Sequence, residues 1–165
     1  MSDQSEALAE GVDFAVVAFR EEGVWQVEQI APETITDLDS LATELRRWPG
    51  DGGSLGLVSV DEDFFVLVRT AGASTRVLLS DVTAATDWPI ARSVVEFLDI
   101  PLPGDEDEPV PAGDPGILDD LGMGAMDMGA LLDELDLYPD EMLGDIASRV
   151  GFGAQFDEAV GVPAS

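Results

Sequence analysis

The sequence predicts an α+β protein: an antiparallel sheet of about five strands with two helices, followed by an acidic linker and a small C-terminal helical module. Three observations carry this. Over residues 1–100, short runs rich in Val, Phe and Leu alternate with turn residues at the length of strands. Two segments of the same region instead repeat apolar residues at the helical period. The composition then changes at Pro101, where five Pro, three Gly and five acids crowd into residues 101–116. The chain divides accordingly into an α+β domain (1–100), an acidic Pro/Gly-rich linker (101–116) and an acidic helical module (117–165).

Residues 1–12 read as a polar lead-in that frays. Residues 13–20 (Asp-Phe-Ala-Val-Val-Ala-Phe-Arg) are too short for a typical helix and rich in β-branched and aromatic side chains, which suits a buried strand. Glu21-Glu22-Gly23 is a three-residue loop with Gly where a left-handed backbone is wanted, so residues 24–30 return as the second strand of a hairpin. Pro32 breaks that strand. Thr36 and Asp39 stand close to a capping box, and Leu38, Leu41, Leu45 and Trp48 lie along one helical face. Asp37 and Asp39 in the first turn and Arg46 and Arg47 in the last suit the helix dipole, a plainer role for the arginines than a phosphate clamp.

Pro49 and the Gly and Asp residues up to Ser54 form a turn cluster and not a dinucleotide fingerprint, because a strand follows them. Residues 55–60, 64–70 and 75–80 are three strands in meander, joined by Asp61-Glu62-Asp63 and Ala71-Gly72-Ala73-Ser74. The acidic turn lacks the spaced oxygen ligands and Gly of a calcium loop and reads as solvated. Residues 81–86 form a short helical turn. Thr86 or Asp87 then caps a second helix, with Pro89 in its first turn, Ile90, Val94, Phe97 and Leu98 on its apolar face, and Pro101 and Pro103 as its stop. A sheet of this kind can carry both helices on one face and stay partly wet on the other.

The linker has almost nothing to bury and is expected to be extended and mobile. After it, Gly122 and Gly124 interleave with Met123, Met126 and Met128; this piece either re-packs against a partner or continues the linker. A helix is expected over residues 126–137, carrying Leu131, Leu132 and Leu135. The best-punctuated element follows. Pro139 fits a first helical turn, Gly151 fits the left-handed position just past the end, and Met142, Leu143, Ile146, Ala147 and Val150 share one apolar face between them. Phe152, Phe156 and Val160 add a last helical turn, and residues 161–165 fray.

The net charge is −28, from 35 acids against seven basic residues, every one of them Arg. There is no Lys, Asn, His or Cys, which excludes a thiolate nucleophile, an imidazole base, the usual zinc ligands, disulfides, a P-loop and Schiff-base chemistry. No cofactor is implied. Residues 1–100 hold 19 acids and six Arg, whereas residues 101–165 hold 16 acids and one Arg, so the tail is far more negative per residue. Such a field disfavours direct nucleic-acid binding and favours a basic protein surface, although a GC-rich or salt-adapted genome also yields an acidic, Lys-free chain. With neither a basic, apolar leader nor a membrane-length apolar run, the protein is expected to be soluble and cytoplasmic.

The order of elements up to residue 100 resembles roadblock and longin scaffolds, by topology alone and with no sequence motif behind it. A more specific resemblance lies in residues. The Phe14-Ala15-Val16-Val17-Ala18-Phe19 strand, the acidic Pro-rich linker, and Leu137-Tyr138-Pro139-Asp140-Glu141-Met142-Leu143 followed by Ile146-Ala147 and Gly151-Phe152 are similar to the actinobacterial tRNA adenosine deaminase-associated proteins. That resemblance implies an accessory role beside the deaminase that converts adenosine to inosine in the tRNA anticodon, and it carries no catalytic residues. The zinc deaminase signature itself needs His and Cys, which this chain lacks.

A non-catalytic adaptor is therefore expected, with Tyr138, Met142, Leu143, Ile146, Val150 and Phe152 as the anchors of a helix laid into a partner's groove. The competing reading of the same face is ordinary core, packed back onto residues 1–100. An alternative function is an acidic mimic of nucleic acid that masks a basic tRNA-binding surface. An enzyme working by carboxylates alone has little behind it, because so many acids make some close pair inevitable.

Overall fold

The structure is a computed structural model that describes residues 12–30, 37–48, 53–60, 63–71, 74–101, 110–134 and 137–160. Strands β1 (Val12–Glu21) and β2 (Val24–Gln29) form the expected hairpin, with Val16 opposite Gln29. Glu21 pairs with Val24, so the turn is the two residues Glu22 and Gly23, both at positive φ, and not three. The free side of β1 pairs with β3 (Ser54–Val60), and the meander continues through β4 (Phe64–Ala71) and β5 (Ser74–Leu79). A two-residue β6 (Ala112–Gly113) completes an antiparallel sheet in the order β2-β1-β3-β4-β5-β6. The described helices are α1 (Leu38–Leu45), α2 (Pro89–Phe97), α3 (Ala125–Leu132), α4 (Pro139–Val150) and α5 (Gly153–Val160), with 3-10 turns at Val82–Thr86 and Asp119–Leu121. The α+β class holds, with six strands in place of about five. The likeness to roadblock and longin scaffolds rests on element order alone.

Alternate residues of β1, β3, β4 and β5 face two different cores. On one face Val17 and Phe19 of β1, Val58 of β3 and Phe64, Val66 and Val68 of β4 pack against Leu41 and Leu45 of α1 and Ile90, Val94 and Val95 of α2. On the other, Val16, Ala18, Leu55, Leu57, Phe65, Leu67 and Leu78 pack against Ile117, Met123, Met128, Leu143, Ile146, Phe152 and Phe156. The second face is thus covered by residues 117–160 and is not wet. The physical reason is in β4: Phe65 and Leu67 point away from α1 and α2, and leaving side chains of this size in water costs about 1.5–3 kcal/mol each.

Several local expectations shift. Asp37 caps α1: its Oδ1 accepts from Ser40 N–H at 2.8 Å, while Ser40 Oγ accepts from Asp37 N–H at 3.1 Å. The residue that caps α2 is Trp88, without a side-chain bond, in place of Thr86 or Asp87. Ala91, Val94 and Val95 set the buried face of that helix at i, i+3 and i+4, which leaves Phe97 half exposed. Helix α3 starts at Ala125 and ends at Leu132, short of residue 137.

Part of the segment expected to be an extended, mobile linker is instead the short strand β6. Ala112 lies opposite Leu79 and Gly113 opposite Leu78, and the pairing is extended by Val82 N–H to the Val110 carbonyl at 2.8 Å and Asp114 N–H to the Val77 carbonyl at 2.9 Å. Gly113 has φ +115, and a Cβ there would sit 2.2 Å from the Val77 carbonyl oxygen, so this close approach requires Gly. The expectations for residues 1–11, Pro32, Thr36, the turn residues 49–52, 61–62 and 72–73, linker residues 102–109, Leu135 and residues 161–165 lie outside the described residues. Among the described residues no helix is long and apolar enough to cross a membrane.

Candidate functional site

Helix α4 is positioned by its own ends. Pro139 occupies the first turn, where a backbone N–H has no helical acceptor, and Glu141 Oε1 accepts from the Tyr138 N–H at 3.0 Å. At the other end Gly151 takes φ +117 and donates to the Ala147 carbonyl at 2.9 Å, turning the chain into Phe152 and α5. These ends fix which side of the helix faces the sheet.

Of the six contact residues read from the sequence, Met142, Leu143, Ile146, Val150 and Phe152 are at most 9% exposed, whereas Tyr138 is 59% exposed. The buried five belong to the second core, where the Phe152 ring lies 5.0 Å from that of Trp25. Close by, Phe14 meets Phe156 edge-on at 5.4 Å. Self-docking is therefore what covers this face in the structure. Tyr138 stands apart from the other five, at the exposed start of α4.

The outward sides of α3, α4 and α5 enclose an open groove of about 610 Å³. Leu131 and Leu137 are among its apolar lining residues, and Glu134, Glu141, Asp145 and Asp157 line it with carboxylates. Arg149 is its one lining cation among the described residues, and its Nε donates to Asp145 Oδ2 at 2.9 Å, one helical turn away. The groove also holds Ser148, and the chain has no His, Cys or Lys side chain. Among the described residues no three Asp, Glu, His or Cys side chains gather where they could hold a metal ion. The chemistry on offer is apolar contact with a strong negative field.

Sequence reasoning missed a second cluster. Arg69, in the middle of β4, is joined to Asp120 by two hydrogen bonds and donates to the Ile117 carbonyl at 2.9 Å. The hydrogen bond from Arg69 holds the Asp120 carboxyl below the ordinary carboxylate range, and the same bond raises Arg69. Arg76 of β5 donates to Asp114 Oδ2 at 2.8 Å and to the Gly116 carbonyl at 2.6 Å. Arg20 lies over the Trp25 ring, 5.3 Å from its centroid, beside a small cavity of about 90 Å³ that Arg69 and Asp120 also line. The available signal was a charge inside an apolar strand, which needs a partner once both faces of the sheet are covered. Arg46 and Arg47 turn to separate partners, Thr75 at 2.7 Å and Glu44 at 3.3 Å.

Comparison with known proteins agrees with the resemblance carried by the Leu-Tyr-Pro-Asp-Glu-Met run. Protein Rv3753c of Mycobacterium tuberculosis is 43% identical over 150 residues, which cover 89% of this chain and 87% of that protein. No solved structure matches. The profile of the Rv3753c-like tRNA adenosine deaminase-associated proteins matches residues 13–153, and the chain belongs to that family.

Proposed function

We propose that the protein is a non-catalytic accessory protein that binds a tRNA adenosine deaminase through the groove between α3, α4 and α5. The observation that carries this reading is the groove's make-up: four carboxylates beside Leu131 and Leu137, with a single guanidinium among the described residues already paired to one of the acids. An enzyme that handles tRNA must present basic side chains to phosphate, and a groove of this charge is complementary to such a surface. The family description names association with the deaminase, and a chain without His or Cys cannot supply the zinc site of that chemistry. A cytoplasmic location goes with such a partner.

The test is calorimetric titration of the full chain with the purified deaminase of the same organism at low salt. Binding is expected, and the triple variant Glu134→Lys, Glu141→Lys, Asp157→Lys should weaken it at least about tenfold, or about 1.4 kcal/mol. Absence of binding, or equal affinity of the variant, would remove the proposal. The net charge of −28 also favours a second reading, in which the groove stands in for tRNA phosphates on the enzyme. In that case tRNA and this protein compete for the deaminase; simultaneous binding of both would eliminate the mimic.

A further inference from the structure

Strand β2 forms one margin of the sheet, and among the described residues no strand pairs with its outer side. Two hydrogen bonds fix how its backbone is oriented. Ile30 N–H donates inward to the Ala15 carbonyl at 2.8 Å, so the even-numbered residues direct their backbone groups at β1. Trp25 faces outward by the same alternation, and its carbonyl accepts from Gln155 Nε2 of α5 at 3.3 Å. Val27 and Gln29 follow Trp25 in phase and turn their N–H and carbonyl groups off the sheet.

Sheet margins are usually guarded by charged side chains, above all Lys, by Pro, by a bulge or by a covering helix. Here Glu28 is the one charge, and α5 reaches the margin through Gln155 to the Trp25 carbonyl and through the Gln29 side chain to the Ala159 carbonyl. The six residues of β2, Val-Trp-Gln-Val-Glu-Gln, contain neither Lys nor Pro, and the register with β1 is unbroken. The opposite margin, β6, is two residues long. Between β2 and α5 runs an open groove of about 590 Å³ lined by Glu28 and Glu158 and, among the described residues, by no basic side chain. The side chains of Trp25 and Val27 pack towards α5, so Glu28 lies on the other face of the strand, and the two carboxylates flank the open edge from opposite sides.

We propose that this edge binds an extended, basic polypeptide segment as an added strand of the sheet. Main-chain hydrogen bonds to Val27 and Gln29 supply the register, and the Gln155 side chain yields the Trp25 carbonyl to the incoming N–H. Successive side chains of an extended segment alternate between faces, so cationic residues on it reach Glu28 on one side and Glu158 on the other. A second copy of this chain is the poorer occupant, since each copy carries a charge of −28 and brings its own Glu28 to the same edge. The surface is separate from the α3–α4–α5 groove, and the inference holds whether or not the deaminase is the partner.

The test is a titration of the isotope-labelled full chain with acetyl-Lys-Val-Lys-Val-Lys-Val-amide, followed by amide shifts and hydrogen exchange. Saturable shifts and slowed exchange at Val27 and Gln29 are expected, with no response to the matching Glu-Val peptide. Val27→Pro removes an outward donor while leaving the bonds to β1 in place, and should weaken binding at least about tenfold. Should that variant misfold, Glu28→Lys with Glu158→Lys probes the same site through charge alone, with the same loss expected. Shifts confined to other elements, undiminished binding by the variants, or a dimer that protects the β2 amides without peptide would each overturn the proposal.

Discussion

The Arg69 guanidinium and the Asp120 carboxylate meet in a two-pronged pair, Nη1 to Oδ1 at 2.5 Å and Nη2 to Oδ2 at 2.8 Å, that ties β4 to the turn preceding α3. The partners are unequal, with the Arg69 side chain 11% exposed and that of Asp120 58% exposed. Removing the acid leaves a nearly buried cation without its main partner, and the helical layer loses one of its fastenings to the sheet.

The pair makes a pH prediction. Asp120 is lowered in the folded state from its ordinary value of 3.8, so its contribution is fully present above that value and is lost as pH falls through the depressed folded value. Denaturant titrations of the wild type and Asp120→Asn should differ near neutral pH by about 1 kcal/mol, solvent screening being strong at so exposed a carboxylate, and should converge in acid. A difference that grows on acidification would contradict this account.

Gly113→Ala tests the sixth strand. The new methyl would collide with the Val77 carbonyl, and the left-handed backbone adds strain of about 1–3 kcal/mol. Faster amide exchange at Asp114 and Val82, whose N–H groups are bonded across this margin, should accompany the loss. The amides of β1 and β3 should be unaffected.

Phe152→Ala and Tyr138→Ala separate the inner face of the helical layer from its outer edge. The first empties a fully buried site beside Trp25 and should cost about 3–5 kcal/mol. The second trims an exposed ring and should change stability by less than about 0.5 kcal/mol. Equal losses in equilibrium unfolding would mean that the helices do not sit on the sheet as described.

Salt should stabilise this protein. With a net charge of −28 and four ion pairs among the described residues, screened repulsion outweighs screened attraction. Raising NaCl from about 0.1 to about 1 M shortens the screening length from about 10 to about 3 Å, and the melting temperature should rise. A fall would locate the dominant charge interactions in the ion pairs instead.

What the sequence made legible was local. The bounds of α4 were readable because Pro139 and Gly151 act through their own backbones, and the β1–β2 hairpin because Gly23, at φ +82, stands where the turn requires it. The apolar face of α4 was equally plain, yet amphipathicity says that a face is covered and not by what. The clue to its cover lay in β4: Phe64-Phe65-Val66-Leu67-Val68 has no polar alternation, which marks a strand buried on both sides. Strand β6 left no such trace. Its pairing depends on contacts from distant residues, Arg76 to Asp114 and Gly113 against Val77, inside a segment whose composition reads as linker.

In the proposed complex a partner meets the outer groove of the helical layer while the inner face stays on the sheet. Hydrogen exchange of the full chain with and without bound deaminase tests it directly. Added protection along Glu134, Glu141 and Asp145, with Phe65, Leu67 and Ile146 as slow as in the free protein, is the predicted result. Faster exchange at Phe65, Leu67 and Ile146 on binding would contradict it, because the layer would then have left the sheet to present Met142, Leu143 and Val150 to the partner.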